Sequence, residues 1–167
     1  VRMMGGDIEV DSAPNLGSRF HFTLRFDLQP EPAKQTLLHQ EVLRGRRVLV
    51  VDDNACARDV LAKMSTALGL QADTAADGQD ALRMVELADS SDKAYDLVLL
   101  DWKMPGLGGV ECARQLSERE RRRPRTSTVL MVTAFGRDEV QGQLRDRDLG
   151  VGGLLVKPVI PATLLGA

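Results

Sequence analysis

The sequence predicts an α/β domain, a doubly wound parallel β-sheet with helices on both faces, preceded by a β-hairpin. The sheet is predicted because strand-like and helix-like segments alternate from Arg46 onward. It is also predicted by polar side chains that follow several apolar strand-like runs directly. The hairpin is predicted by apolar residues at every second position between residues 5 and 28. A chain of 167 residues suits one ordinary domain with an appendage.

The N-terminal hairpin has one apolar face and a turn rich in Pro14, Asn15 and Gly17. Its alternating apolar residues are Ile8, Val10, Phe20, Phe22, Leu24 and Phe26. Because an isolated hairpin is at best marginally stable, we expect it to fray or to need a partner for this face. Residues 29–45 contain Pro30 and Pro32 and are predicted to form a tether with a short amphipathic turn.

The domain after the tether is predicted to alternate strands and helices. The segments are 46–51, 55–68, 70–75, 78–89, 95–100, 107–120, 127–132, 137–148 and 153–156. Asn54 and Asp77 are predicted N-caps. Residues 161–167 allow only one or two helical turns, so part of one sheet face should lack cover. We therefore expect a destabilised domain, or one covered by the tether or another chain.

Four predicted strands end in side chains that can act together chemically. Asp52 and Asp53 end the first and Asp101 ends the third, while Thr133 and Lys157 follow the last two. Because strand ends in an open parallel sheet meet at one edge, the carboxylates are expected to form one cluster. Close carboxylates repel each other unless a cation offsets them, and oxygen ligands favour Mg²⁺.

These residues resemble the motifs of a response-regulator receiver domain, from Arg46 to about Leu165. The motif residues are Asp52, Asp53, Asp101, Met104-Pro105-Gly106, Gly109, Thr133-Ala134 and Lys157-Pro158. The resemblance implies a flavodoxin-like, five-stranded sheet of order 2-1-3-4-5 with a truncated last helix.

The resemblance also implies a role for each site residue. Asp101 would accept the phosphoryl group and, with Asp53 and the backbone carbonyl of Lys103, bind Mg²⁺ directly, while Asp52 would act through water. The catalytic partners Lys157, Thr133 and Ala134 would hold phosphoryl oxygens.

The N-terminal segment resembles the last hairpin of a sensor histidine kinase ATP-binding domain. The chain is therefore expected to be a piece of a hybrid sensor histidine kinase: hairpin at 1–28, linker at 29–45 and receiver at 46–167. The partners implied are the kinase's phosphohistidine domain and a histidine phosphotransfer protein or domain. The parent would be an enzyme, but this piece lacks the ATP site and would be a self-catalysing phosphoryl acceptor.

Two other functions stay open. Leu154 stands where receivers usually have an aromatic switch residue, which would suit a binding module that is never phosphorylated. A Mg²⁺-dependent phosphohydrolase also uses an Asp nucleophile at a strand end, but it normally has an Asp at the position of Lys103.

Bulk properties exclude several other classes. A formal net charge of -2 gives no electrostatic footprint for nucleic acid. The apolar runs are far shorter than the roughly 20 residues needed to span a bilayer, so no membrane contact is expected. Cys56 and Cys112 fall in helical patterns that are a poor framework for a disulfide, which matches a reducing cytosol. A cytoplasmic location is therefore expected, with any membrane anchor in a segment outside this piece. The oligomeric state stays open.

Overall fold

The computed structural model describes residues 1–26, 41–91, 93–120, 127–134 and 150–167. The chain divides into two compact units, Val1–Gln35 and Thr36–Ala167. The predicted helix at 137–148 and most of the predicted linker lie outside the described residues. No helix in the described part is long and apolar enough to cross a membrane.

The first unit contains the predicted antiparallel hairpin. Strands β1 (Asp7–Ala13) and β2 (Gly17–Thr23) follow a single 3₁₀ turn at Arg2–Met4. The turn is possible because Asn15 and Gly17 both adopt positive φ, the region that Asn and Gly tolerate best. The pairs Ile8–Phe22 and Val10–Phe20 form an apolar face whose side chains are exposed.

The second unit is built on the predicted parallel sheet. Its strands are β3 (Arg47–Val51), β4 (Gln71–Ala75), β5 (Leu97–Asp101), β6 (Thr128–Thr133) and β7 (Gly153–Val156). Their order is β4-β3-β5-β6-β7, which is the predicted 2-1-3-4-5. The first and third strands of the sheet are therefore neighbours.

The helices of this unit lie on both faces of the sheet. Four have both ends within the described residues: α1 (Ala55–Ala67), α2 (Gly78–Ser90), α3 (Gly109–Glu120) and α4 (Pro161–Leu165). The predicted N-caps are confirmed, since Asn54 accepts hydrogen bonds from two N–H groups of α1 and Asp77 accepts one from α2. The last helix, α4, has five residues, within the predicted one or two turns.

Alternate residues of the buried strands feed two separate cores, as the two-residue period of a strand requires. On one face, Leu49, Leu100 and Met131 pack with the buried sides of α2 and α3. On the other face, Val50 and Leu99 pack with a core that includes α1 and α4. Leu43, in the helical residues 41–43, packs against this second core, so the end of the predicted tether does cover part of the sheet.

Candidate phosphoryl-acceptor site

The register of the sheet brings the predicted acidic residues to one place. Val51 pairs with Leu100, so the residues that follow them, Asp52 and Asp101, lie at adjacent strand ends. On the other side of β5, Asp101 pairs with Val132, and Thr133 pairs with Val156. Each predicted site residue is therefore the last residue of a strand or follows it within two positions.

The three carboxylates form one cluster. An oxygen from each of Asp52, Asp53 and Asp101 lies within 4.8 Å of the others. Asp52 and Asp101 are buried, with 1% and 7% of their surface exposed, whereas Asp53 is exposed. The cluster thus has a buried base and one side open to solvent, and its donors are the hard oxygens that Mg²⁺ prefers.

Lys157 links the cluster to the edge strand β7. Its Nζ lies 2.7 Å from Asp52 Oδ2 and 2.6 Å from Asp101 Oδ1. The backbone fixes this position, because the Lys157 N–H donates to the Thr133 carbonyl at 2.7 Å. The peptide bond from Lys157 to Pro158 is cis. Three carboxylates facing one ammonium leave two formal negative charges, so the cluster still attracts cations.

The surroundings of the site raise the pKa values of both Asp101 and Lys157. Burial raises the pKa of Asp101, and the nearby Asp52 charge adds to this, while Lys157 opposes it. Burial alone would lower the pKa of Lys157, but the hydrogen bonds and charges of Asp101 and Asp52 outweigh it and raise that pKa. The ammonium is therefore held in its charged form against the acceptor carboxylate.

The loop between β3 and α1 is held by hydrogen bonds among residues that are close in sequence. The Asn54 N–H donates to Asp52 Oδ1 at 2.9 Å, and Asn54 Oδ1 accepts from the N–H groups of Cys56 and Ala57. Arg58 Nη1 donates to the Asp52 carbonyl oxygen at 2.6 Å. Sequence reasoning identified Asn54 only as a cap and missed Arg58. The available signal was a cation in the first turn of a helix, where the dipole disfavours it.

The loop after β5 holds the acceptor from its other side. The Lys103 N–H donates to Asp101 Oδ2 at 3.2 Å, and the Trp102 N–H donates to the Val132 carbonyl at 2.7 Å. Gly109, the first residue of α3, lies so close to this loop that a Cβ there would sit 2.0 Å from the Asp101 carbonyl oxygen. The motif glycine is therefore required by the close approach of two backbone segments.

The remaining predicted residues lie at the same edge of the sheet. Thr133 is fully buried as the last residue of β6, and Ala134 follows it at the surface. Leu154 in β7 is 9% exposed and belongs to the core that contains α2 and α3. A buried aliphatic side chain thus occupies the position where an aromatic was expected.

Comparison with known proteins agrees with this geometry. The family described as response regulator receiver domain matches residues 48–167. Hybrid signal transduction histidine kinase L of Dictyostelium discoideum is 32% identical over 115 residues, which are 68% of this chain and 6% of that protein. Sensor protein TorS of Escherichia coli is 26% identical over 167 residues, 99% of this chain and 17% of that protein. The chain thus spans only a small part of these relatives.

A solved structure is similar to most of this chain. It is the complex of CheX and CheY with BeF3 and Mg²⁺ from Borrelia burgdorferi. The similarity has a TM-score of 0.61 and 28% sequence identity, and covers 75% of this chain and 88% of the solved one.

Proposed function

The chain belongs to the response regulator receiver domain family, and we propose that it accepts a phosphoryl group on Asp101 in the phosphorelay of a hybrid sensor histidine kinase. One observation carries the proposal: the buried Asp101 carboxylate lies beside two further carboxylates and 2.6 Å from an ammonium. A nucleophilic carboxylate and a cation held beside it are what phosphoryl transfer requires.

We propose Mg²⁺ as the cofactor of this site. Asp53, Asp101 and the backbone carbonyl of Lys103 would bind it directly, and Asp52 would act through water. Three carboxylate oxygens within 4.8 Å of each other fit a hard cation, and the similar CheY of Borrelia burgdorferi was solved with Mg²⁺. When bound, Mg²⁺ would neutralise charge on the phosphoryl oxygens.

The side chains of this chain would then have separate tasks in the transfer. A carboxylate oxygen of Asp101 attacks the phosphorus of a phosphohistidine, so that a P–O bond forms while the P–N bond breaks and the imidazole leaves with the bonding electrons. The Lys157 ammonium, which contacts Asp101 in the structure, moves to pair with one phosphoryl oxygen. The Thr133 hydroxyl and the Ala134 N–H hold another oxygen.

We also propose the organisation of the longer protein. Residues 1–28 would end an ATP-binding domain, 29–45 would be a linker and 46–167 the receiver. The alignment with TorS over nearly the whole chain supports this arrangement, because the hairpin segment is included in it. The phosphoryl donor would be the kinase's own phosphohistidine domain, and the next partner a histidine phosphotransfer protein or domain. Two free cysteines support a reducing, cytoplasmic compartment.

The test is phosphorylation by a small donor. Incubation with acetyl phosphate and Mg²⁺, followed by intact-mass measurement, should show one phosphoryl adduct that Asp101→Asn abolishes. Asp59→Asn is the matched control, because Asp59 is an exposed carboxylate that pairs with Lys63 on α1. Mg²⁺ binding without an adduct would contradict the proposal and favour the binding module that Leu154 suggests.

A further inference from the structure

The side chain of Arg58 connects α1 to the start of the loop that carries Asp52 and Asp53. Arg58 is the fourth residue of α1 and is half-buried. Its Nη1 donates to the Asp52 carbonyl oxygen at 2.6 Å, and its backbone N–H donates to the Asn54 carbonyl oxygen at 2.9 Å. A hydrogen bond from a charged donor is stronger than a neutral one, so this contact restrains the loop firmly.

The needs of the helix do not explain this contact. Asn54 already caps α1 and satisfies two of its free N–H groups. A positive charge in the first turn of a helix is disfavoured by the helix dipole. Within the described residues Arg58 has no carboxylate partner, unlike the five arginines that form ion pairs in the second unit: Arg46, Arg47, Arg83, Arg114 and Arg119.

We propose that Arg58 is a positioning residue of the metal site, holding the loop so that Asp53 presents its carboxylate toward Asp52 and Asp101. Asp53 is exposed, and among the described residues its side chain has no hydrogen-bond partner. Its direction is therefore set by the backbone, which Arg58 restrains on one side of Asp53 and Asn54 on the other. This inference rests on the proposed Mg²⁺ site.

Charge and position predict opposite effects when Arg58 is removed. Loss of a cation near three carboxylates would by itself strengthen Mg²⁺ binding, because a like charge no longer opposes the ion. Loss of the restraint would weaken binding, because Asp53 would have to be ordered at the moment of binding. The sign of the change in affinity therefore distinguishes the two roles.

The experiment is calorimetric titration of Mg²⁺ into the parent chain, Arg58→Met, Arg58→Lys and the control Arg83→Met. Arg83 pairs with Asp80 on α2 and not with a residue of the site, so its loss controls for removal of an arginine charge from a helix. Arg58→Met is expected to bind Mg²⁺ about tenfold more weakly, as is typical when a group that orients a ligand is removed. Arg58→Lys keeps a charged donor, so its Mg²⁺ affinity is expected to lie between those of the parent and Arg58→Met. The Mg²⁺ affinity of Arg83→Met is expected to match that of the parent.

Thermal unfolding in EDTA separates positioning from general stability. Without metal, Arg58→Met is expected to have a melting temperature close to that of Arg83→Met. Unchanged or tighter Mg²⁺ binding by Arg58→Met would overturn the inference. Weaker Mg²⁺ binding would also overturn it if the free energy of unfolding in EDTA fell by as much as the free energy of Mg²⁺ binding. A parent chain that fails to bind Mg²⁺ would overturn the proposed metal site itself, so the two failures are distinct.

Discussion

At the scale of single residues, Lys157 explains how two buried carboxylates can lie side by side. Asp52 and Asp101 would repel each other strongly at this depth, and each contacts the same ammonium at hydrogen-bond distance. A buried ion pair adds little net stability, because removing the charges from water offsets their attraction. The arrangement is therefore better explained by chemistry than by folding, since it keeps a nucleophilic oxygen next to a positive charge.

Tyr95, the only tyrosine of the chain, provides a pH-dependent reporter just before the start of β5, at the opposite end of this strand from Asp101. Its hydroxyl donates to Asp73 Oδ2 at 2.9 Å, and the Arg47 guanidinium lies 4.5 Å from the ring centre. Burial, helped by the Asp73 hydrogen bond, raises the pKa of Tyr95 to about 12. We expect the native protein to show no tyrosinate absorbance near pH 10, where the unfolded chain ionises.

The effect on stability follows from the same shift. Below pH 10 the phenol is protonated in both states and adds no pH dependence. Between pH 10 and about 12 the unfolded chain loses this proton first, so the free energy of unfolding falls as pH rises. Tyr95→Phe should reduce this fall in denaturant titrations at successive pH values. An absorbance midpoint near pH 10 in the folded protein would contradict the prediction.

At the scale of elements, the packing of α3 against the loop after β5 depends on Gly109. A Cβ at this position would lie 2.0 Å from a backbone oxygen, so Gly109→Ala must displace either α3 or the loop that begins at Asp101. Overpacking of this kind costs about 1–3 kcal/mol. We expect a lower melting temperature and a slower phosphoryl adduct formation with acetyl phosphate.

The neighbouring Gly108 is the matched control for this change. Its added Cβ would lie 3.8 Å from the nearest atom, the Met104 carbonyl oxygen, which is an ordinary contact. Gly108→Ala should therefore have a stability within about 0.5 kcal/mol of the parent. Equal effects of the two substitutions would show that the close approach at Gly109 is not what constrains the loop.

The elements also show how far sequence reasoning reached. Apolar runs and turn residues predicted all five strands, because these patterns are local. The order of the strands followed from the motif residues, because it is shared by the family that they indicate. The predicted strand segments stop at residues 100 and 132, whereas β5 and β6 each pair one residue further and end at Asp101 and Thr133. The contacts of Arg58 with Asp52 and of Tyr95 with Asp73 were missed, because such side-chain contacts leave no periodic pattern.

At the scale of the whole molecule, the described helices of the second unit cover its two sheet faces unequally. One face is packed by buried residues of both α2 and α3. The other has α1, but α4 contributes only five residues. A largely apolar groove of about 370 Å³ adjoins α4, lined by Leu43, Leu70, Leu130 and Leu164 among others. The expectation of partial cover by the tether is thus confirmed for Leu43.

Leu43 should therefore stabilise the second unit although it precedes the first strand of the sheet. Leu43→Ala removes apolar contacts with the second core and is expected to cost about 2 kcal/mol, near the lower end of such substitutions, because the residue is only half-buried. Val42→Ala is the matched control, since the adjacent Val42 is 64% exposed and its truncation should change stability by less than about 0.5 kcal/mol. Denaturant unfolding in EDTA measures the difference in stability between the two variants. The Mg²⁺ affinity of both should equal that of the parent. The reason is that residues at the start of β5 and β6 line this groove, at the opposite end of the strands from Asp101. Equal stability of the two variants would mean that the tether does not cover this face.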